Sequence, residues 1–516
     1  METEKEYLRE RRMSAIICES NGEYTLPDYN TDVKRVLCVS AKAVPSSKFM
    51  DGEMLECVGI VAYEVVYLDS ENNVTHCCFT TDYELKIKCN SETYKDAHIT
   101  TRVKNYTIRP IGPRRFSAKC VLNNMVCVSE KAHIGIGGDA FSYTEPEVAT
   151  ETVHVGFGVY SAPLETEYAE TLIEVEGAIA DEVDVLTTSG AVKNLTTSVK
   201  DDGVDYKGEI EVKALVLVED DLPKTVSVTI PIQGSISFDE IEDGMDLDVD
   251  VIITSLSTSV NAMESGVVVT VSVITEAALV GRANESIRLI TDSFICDRGT
   301  ENEYTNSTFM SHAGSMSEQF NIDLEFDRSE LGAQNLRNVI YSDGVCSLSN
   351  ATIEGDGIKL EGEMRLSVMA CEINDDGEPT FVGLKLDIPF ATKVKNSCQN
   401  SNITDVYADL CLVSNSVTLD ADKIYVMACI DVGMQFSASR NVRYVTSSVL
   451  TDEVYESVGA DVVVYYPDSG ESLFDVARSF HTSLLKLASD NSLTESAFRT
   501  PDSSSSLAGV RKLIIK

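Results

Sequence analysis

Residues 202–237 read DGVDYKGEIEVKALVLVEDDLPKTVSVTIPIQGSIS, and this stretch decides the fold class. Apolar Ile210, Val212 and Ala214 alternate with the charged residues at positions 209, 211 and 213. An alternation of period two is typical of a half-buried antiparallel strand. The Asp-Gly pair before the strand and the acidic turn EDDLP after it have hairpin-turn chemistry, because Gly accepts a positive φ and Asp and Pro favour turns. The stretch therefore predicts a β-hairpin.

The same plan recurs from Asp51 and from Asp356, and each copy has an Asp-Gly pair, a marker glycine, a long alternating strand, an acidic turn and another strand. The marker glycines Gly59, Gly208 and Gly362 are spaced by 149 and 154 residues. Each copy closes with a further strand-turn-strand pattern. Many short strands at this spacing predict a mainly-β chain of tandem antiparallel repeats, each a β-sandwich or a Greek-key barrel. We place the repeats at 14–150, 151–305 and 306–457, with a terminal module at 458–516.

The composition narrows the classes of partner. The chain has 516 residues and a formal net charge of −41, which repels nucleic-acid phosphates and anionic lipid headgroups. We therefore expect neither nucleic-acid binding nor peripheral membrane binding, and we interpret the charge as favouring solubility or, alternatively, a basic partner surface. The N-terminus lacks a secretory apolar run, and no stretch approaches 18 apolar residues, so no membrane insertion is expected. The fourteen cysteines are interpreted as reduced, structural thiols of a cytoplasmic protein.

The sequence offers little sign of an active site. It contains no HExxH, P-loop or GxSxG motif and no CxxC pair, so we expect no enzyme, no cofactor and no metal site. Asp246, Asp248 and Asp250 alternate with apolar residues, and a calcium loop is one reading of them. Because the glycine and the distal glutamate of an EF-hand loop are absent, a solvated strand face is the favoured interpretation.

The terminal module carries helix signals instead of strand signals. Ser472 and Asp475 have the spacing of a capping box, and Leu473, Val476, Ala477 and Phe480 follow on one helix face. Thr482 is the expected cap of a second helix, which Asn491 ends in the left-handed conformation. The apolar residues expected to pack from that helix are Leu484, Leu485, Leu487 and Ala488. Apolar strands flank the helices as ADVVVYYP and GVRKLIIK, which predicts a β-α-α-β order.

The start of the first repeat, TLPDYNTDVKRVLCVSAKA at 25–43, resembles the SPOCS domain of spore-forming Firmicutes. In that family a Leu-Pro-Asp-Tyr opening precedes an Asp-hydrophobic-x-Arg-hydrophobic-Leu run. The matching residues here are Leu26, Pro27, Asp28, Tyr29, Asp32, Val33, Arg35, Val36 and Leu37. The two later copies lack this opening and share only the Asp-Gly and glycine pattern.

The terminal module resembles the LysM module. The resemblance rests on the strand at Val464–Tyr466, the loop GESL, the helix residues named above and the closing strand from Gly509. LysM modules bind N-acetylglucosamine polymers in a shallow groove. The resemblance implies these carbohydrate- or partner-binding residues in the groove: Gly470, Glu471, Ser472, Leu473 and Asn491. Capping and turn roles are the alternative for the same five residues. The family's usual Asp is replaced by Glu471, and the loop at 492–508 is unusually long.

Together the two resemblances imply a non-enzymatic scaffold or adaptor in spore coat assembly. Proteins of that kind work in the mother-cell cytoplasm at the forespore surface, where they bind the ATPase of the coat basement layer. The implied partner is therefore a protein, met through the β repeats and the terminal module. The alternative is a peptidoglycan-binding protein of the cell wall or spore cortex.

Overall fold

The mainly-β class predicted from the alternation is confirmed, since strands make up 80% of the chain and helices 4%. The strands form several antiparallel sheets. This computed structural model describes residues 4–165, 169–175, 183–200, 202–218, 222–263, 266–329, 335–373, 379–396, 398, 403–455, 462–468, 470–493, 507 and 510–516. Within the helices it describes, none combines the length and the apolar character needed to cross a bilayer.

The first repeat runs from residue 4 to residue 135 and contains six long strands. They are β1 (Glu4–Thr25), β2 (Val33–Asp51), β3 (Met54–Asp69), β4 (Val74–Lys88), β5 (Tyr94–Gly112) and β6 (Arg115–Gly135). A short helix, α1 (Ala140–Tyr143), follows them. The strands form two three-stranded antiparallel sheets with the orders β2-β3-β4 and β1-β6-β5.

The second repeat has the same six strands and two short additional ones. They are β7 (Glu147–Tyr160), β8 (Leu164–Glu165), β9 (Ala169–Val175), β10 (Val183–Lys200), β11 (Gly203–Val218), β12 (Lys224–Ser237), β13 (Asp246–Met263) and β14 (Gly266–Phe294). Its sheets have the orders β10-β11-β12 and β13-β14-β7, and both short strands pair with β14.

The third repeat runs from residue 298 to residue 454 and again contains six strands. They are β15 (Arg298–Asp327), β16 (Leu336–Glu354), β17 (Gly357–Ile373), β18 (Pro379–Lys395), β19 (Asp405–Leu419) and β20 (Lys423–Val454). Its sheets have the orders β16-β17-β18 and β15-β20-β19. The first strand of every repeat thus pairs with the last strand of the same repeat. Because that pairing is long-range, the sequence alone does not indicate the first strands, which begin at residues 4, 147 and 298.

Each repeat has its own hydrophobic core between its two sheets. In the first repeat, Val39, Val61 and Phe79 come from one sheet, and Ile108 and Phe116 come from the other. Corresponding clusters lie in the second and third repeats. The repeats are therefore two-sheet sandwiches whose inner faces bury the alternating apolar residues.

The marker glycines have one structural reason in all three repeats. Each lies on the middle strand of the meander, opposite a β-bulge in the strand before it. An added Cβ at Gly59, Gly208 or Gly362 would meet the carbonyl oxygen of the residue fifteen positions earlier, at 2.5, 3.3 and 2.6 Å respectively. Glycine lets the bulged backbone approach the middle strand closely.

The three meander sheets surround a common axis. The first strand of each lies against the third strand of the preceding repeat: β2 against β18, β10 against β4, and β16 against β12. These contacts close a ring with approximate threefold symmetry, in which the first and third repeats meet as the other neighbours do. The centre of the ring is therefore lined by equivalent positions of three different sequences.

The terminal module contains β21 (Val463–Tyr465), α2 (Leu473–Ser479), α3 (Leu484–Asp490) and β22 (Leu513–Ile515). The two strands pair antiparallel, with Val464 opposite Ile514. Among the described residues the order is β-α-α-β. The module's core continues into the second repeat through Ala149 and Phe294.

Candidate functional site: the terminal module and the ring centre

The first helix of the module begins as its sequence predicts. Ser472 is the N-cap of α2, its side chain accepts a hydrogen bond from the Asp475 N–H, and the Asp475 side chain accepts one from the Ser472 N–H in return. Leu473, Val476 and Ala477 are buried on the inner face of the helix. This reciprocal capping satisfies two backbone donors that would otherwise lack partners.

The second helix differs from the expectation in three details. Its N-cap is Ser483, which accepts a hydrogen bond from the Lys486 N–H, and not Thr482. Leu485, expected in the core, is 53% exposed. The left-handed residue after the helix is Ser492 with φ of 52°, whereas Asn491 has φ of −108°. The left-handed residue therefore lies one position after Asn491, whose side chain has another role.

The Asn491 side chain holds the last strand in place. Its amide nitrogen donates to the carbonyl oxygens of Leu487 at 2.9 Å and Ile514 at 2.7 Å. Its amide oxygen accepts from the Ile514 N–H at 2.6 Å. The two bonds to Ile514 tie the end of α3 to β22, and the bond to Leu487 caps α3 itself, so the side-chain amide of Asn491 is engaged within the module.

Glu471 is engaged in a similar way. Its carboxylate accepts hydrogen bonds from the Tyr465 hydroxyl at 2.9 and 3.0 Å and from the Asp468 N–H at 3.0 Å. These contacts close the loop between β21 and α2. Glu471 thus reaches across this loop to the strand.

Gly470 to Leu473 therefore form one turn, and Asn491 lies at the far end of α3. Gly470 is exposed with φ of 93°, a conformation that glycine adopts without strain, and nothing lies within 4 Å of the position of an added Cβ. Leu473 is only 2% exposed. Of the five residues predicted for the groove, Gly470 is exposed, three have side chains bonded inside the module, and one belongs to the core.

The module is anchored on the second repeat through contacts that the sequence does not indicate. The rings of Phe474 and Phe294 meet edge to face with centroids 5.2 Å apart. Arg478 forms an ion pair with Asp292 beside them. His481, which follows α2, stacks on Tyr455, just after the last strand of the third repeat, with ring centroids 3.6 Å apart. An apolar contact of this kind, flanked by one ion pair, resembles a small domain interface.

A second group of polar residues lies on the ring axis, within the meander sheets. The residue five positions after each marker glycine is polar, and we call this set the axial triad: Glu64, Lys213 and Ser367. Each one contacts the backbone of the next repeat around the ring. Glu64 accepts from the Thr188 N–H at 2.7 Å, and Lys213 donates to the Ser342 carbonyl at 2.9 Å. Ser367 accepts from the Val39 N–H at 3.0 Å.

The three contacts of the axial triad follow one rule. In each contact the backbone group belongs to the residue just before the one that pairs with a triad member in the same sheet. Residue 39 precedes the partner of Glu64, residue 188 precedes the partner of Lys213, and residue 342 precedes the partner of Ser367. The backbone geometry is therefore threefold, while the side chains are an acid, a base and a hydroxyl. Burial raises the pKa of Glu64, an effect that hydrogen bonds from Thr187 and Thr188 oppose, and burial lowers the pKa of Lys213.

The second layer of sheets holds a buried ion network. Glu10 on β1 pairs with Arg12 on the same strand and with Arg282 on β14, whose Nε lies 3.4 Å from Oε1. The Tyr160 hydroxyl donates to the same carboxylate at 2.7 Å, and Arg12 donates to Ser437 Oγ at 2.9 Å. Burial alone would raise the pKa of Glu10, but the two guanidinium groups outweigh it and lower the pKa to about 2. This network joins all three repeats.

The aspartates of β13 take part in this junction, so their interpretation as a solvated face is wrong for two of the three. Asp246 lies 2.8 Å from His312 of the third repeat, and Asp250 lies 3.3 Å from His98 of the first. Only Asp248 is exposed. The histidines approach from other repeats, and the local sequence around the aspartates carries no sign of them.

Charges also pair at the junction of the first and third repeats, where little room is left between the side chains. A cavity lined by Arg102, Cys346 and Asp409 has a volume of about 10 Å³, which is the space of roughly one water molecule. Arg102 and Asp409 meet across it at 2.8 Å. In the described part of the chain, no group of three His, Cys, Asp or Glu side chains is arranged to hold a metal ion, and all fourteen cysteines are free thiols.

Sequence reasoning could have found the axial triad, because its members share one offset from the marker glycines. It could not have found the Glu10 network, whose partners share no spacing. The chain shows no match to a protein-family model, to a curated protein or to a solved structure.

Proposed function

We propose that the chain is a non-enzymatic scaffold of spore envelope assembly that docks a protein partner through its β repeats and its terminal module. The resemblance of its first repeat to SPOCS domains and of its last residues to LysM supplies the biological setting. In that setting the partner is the ATPase of the coat basement layer, met at the forespore surface in the mother-cell cytoplasm.

The engagement of the groove side chains carries the proposal. Glu471, Ser472 and Asn491 use their polar atoms to close the loop, cap α2 and hold β22. A sugar-binding site needs convergent polar groups that are free to bond the ligand. Because these three groups are satisfied internally, the module is better suited to present a rigid surface than to bind a polysaccharide through side chains.

The ring centre supports the non-enzymatic part of the proposal. Catalytic carboxylates and histidines stand in a cleft where substrate reaches them. The axial charges Glu64 and Lys213 bond to the backbone of a neighbouring repeat instead. At the junction of the first and third repeats, the space between Arg102 and Asp409 holds no more than about one water molecule. Their arrangement suits the joining of repeats.

A binding comparison with the full-length protein tests the proposal. The protein is incubated separately with a purified basement-layer ATPase and with insoluble peptidoglycan. We expect the ATPase to be retained on immobilised protein and the protein to stay in the supernatant of the peptidoglycan suspension. Sedimentation with peptidoglycan, without retention of the ATPase, would overturn the proposal in favour of a cell-wall or cortex protein.

Two matched glycine variants locate the binding surface. Gly470→Ala strains the exposed loop of the module, and Gly355→Ala strains an exposed turn of the third repeat; both residues have positive φ and open space around them. We expect Gly470→Ala to weaken ATPase retention several-fold more than Gly355→Ala. Equal retention by the two variants would contradict a role for this loop in docking.

A further inference from the structure

The two-stranded sheet of the terminal module leaves one face uncovered by the residues that the structure describes. The side chains of Val463 and Tyr465 point toward the helices, while Val462, Val464 and Tyr466 point away and are 59%, 50% and 69% exposed. Alternation along a strand is expected, but the outward positions of an exposed strand are normally polar. Here all three are large and apolar.

The partner strand extends the same face. Leu513 and Ile515 are buried against the helices, so Ile514 between them faces outward opposite Val464. Basic residues border this strand, since Arg511, Lys512 and Lys516 are all exposed. We call the surface formed by Val462, Val464, Tyr466 and Ile514 with this basic border the sheet face.

The charge of the chain is divided unevenly between the module and the repeats. Residues 462–516 contain six basic and six acidic residues, so the whole excess of 41 negative charges lies in residues 1–461. Exposed carboxylates of the repeats include Asp239, Glu240 and Glu242 in the connection between β12 and β13. A basic apolar face and a strongly acidic surface thus occur in one molecule.

We propose that the sheet face docks on the acidic repeat surface of a second copy of this chain. Two sheet faces meeting each other would bring their basic borders together, which like-charge repulsion opposes. Contact between the sheet face and a different surface of the next copy is heterologous, and such contacts continue from copy to copy unless the rotation closes a ring. An assembly that grows by adding copies suits a scaffold. This inference therefore rests on the proposed function.

The contact has a small apolar centre and an electrostatic border. Exposed aromatic residues are the commonest anchors of protein interfaces, which gives Tyr466 the central role. The charged border speeds the association of two copies, and salt screens the attraction between the border and the acidic surface. We therefore expect self-association that strengthens with protein concentration and weakens with salt.

Sedimentation velocity of the full-length protein over a concentration series, at low and at high salt, tests the proposal. We expect species larger than a dimer at low salt. Tyr466→Ser should weaken the association about tenfold or more, in the range seen for interface anchors. Lys512→Glu, which leaves the apolar residues in place, should weaken it at low salt and change it little at high salt.

Leu485→Ser is the matched control, because Leu485 is a similarly exposed apolar residue on α3, outside the sheet face. It should associate as the wild type does. A chain that stays monomeric, a dimer that does not grow, or unchanged association of Tyr466→Ser would each overturn the proposal. ATPase retention is measured on the same proteins, so that a wild type that stays monomeric yet retains the ATPase refutes this inference alone and leaves the proposed function standing.

Discussion

Two junctions hold this molecule together, and they are built from different interactions. At the ring centre the repeats meet through buried charges, with Glu10 between Arg12 and Arg282 in one layer and the axial triad in the other. Where the terminal module meets the second repeat, the main contact is an edge-to-face pair of Phe474 and Phe294. The first junction adds polar groups, which must find particular partners, to an apolar cluster with members from all three repeats, among them Leu37, Leu215 and Met369. The second junction depends mainly on apolar area.

The difference shows how three similar repeats are kept in one order. Apolar surfaces of related shape accept one another readily, so they discriminate weakly between neighbours. Equivalent positions that carry Glu64, Lys213 and Ser367 make three chemically different contacts on one backbone geometry. A repeat placed at the wrong position would face a charge or a backbone group without a partner, which is costly in a buried site. The terminal module occurs once in the chain, so its junction does not need polar contacts that discriminate between similar neighbours.

The largest effect is expected from Glu10→Gln. The substitution removes the charge shared by Arg12 and Arg282 and leaves two buried guanidinium groups without a counterion. Loss of one partner of a buried ion network costs about 3–5 kcal/mol. We expect the free energy of unfolding, measured by urea denaturation, to fall by this amount.

Glu6→Gln is the control for Glu10→Gln, because Glu6 lies on the same strand and forms an exposed pair with Lys131. Such surface pairs contribute about 0–1 kcal/mol, so the control should unfold nearly as the wild type does. Equal effects of the two substitutions would show that the network does not hold the ring together.

The next effect is expected from Phe474→Ala, which removes the ring that packs against Phe294. Truncation of a buried Phe costs about 3 kcal/mol or more. Because this residue belongs to the module's core, the loss should be confined to the module and its contact with the second repeat. Hydrogen exchange should therefore accelerate in α2 and α3 and stay unchanged in β3 and β17, whereas acceleration throughout the repeats would contradict a separate apolar junction.

The sequence predicts those structural features that depend on residues close together in the chain. The hairpins turn at Asp-Gly pairs, a marker glycine follows the Asp of each pair by six to eight residues, and Ser472 with Asp475 forms the capping box. Each of these features depends on residues a few positions apart. The pairing of β1 with β6 joins residues that are 90 or more positions apart, and Glu10 and Arg282 are 272 positions apart. Asp246 and Asp250 appear solvated in sequence for the same reason, since His312 and His98 reach them from other repeats.

A smaller effect is expected from Glu64→Ala at the axis. The Thr188 N–H and the Thr187 hydroxyl both donate to this carboxylate and would lose their acceptor. A buried donor without a partner costs about 1–3 kcal/mol. Urea denaturation should show a loss in that range, and Glu84→Ala, an exposed position on β4, should show about 0.5 kcal/mol or less. A loss no larger than that of the control would mean that water replaces the contact.

The smallest effect, and the one that isolates charge from hydrogen bonding, is expected from Glu64→Gln. The amide oxygen can still accept from Thr188, but the side chain no longer ionises. Burial raises the pKa of Glu64 in the folded protein, and nearby Asp343 adds to this while His76 opposes it. The contribution of Glu64 to stability is therefore fully present below the ordinary glutamate pKa and is lost as the pH rises through the raised folded-state pKa.

The Gln variant has no such loss, so its stability relative to the wild type should increase as the pH rises through that window. The gain amounts to about 1.4 kcal/mol for each unit by which the pKa is raised. Urea denaturation at pH values from below to above the window measures it directly. A constant difference between the two proteins would show that the Glu64 carboxylate titrates alike in the folded and unfolded chains, and that its role at the axis is hydrogen bonding alone. A growing difference would show that the ring centre retains a charge at some cost to stability, as expected where a buried acid serves to specify which repeat lies beside it.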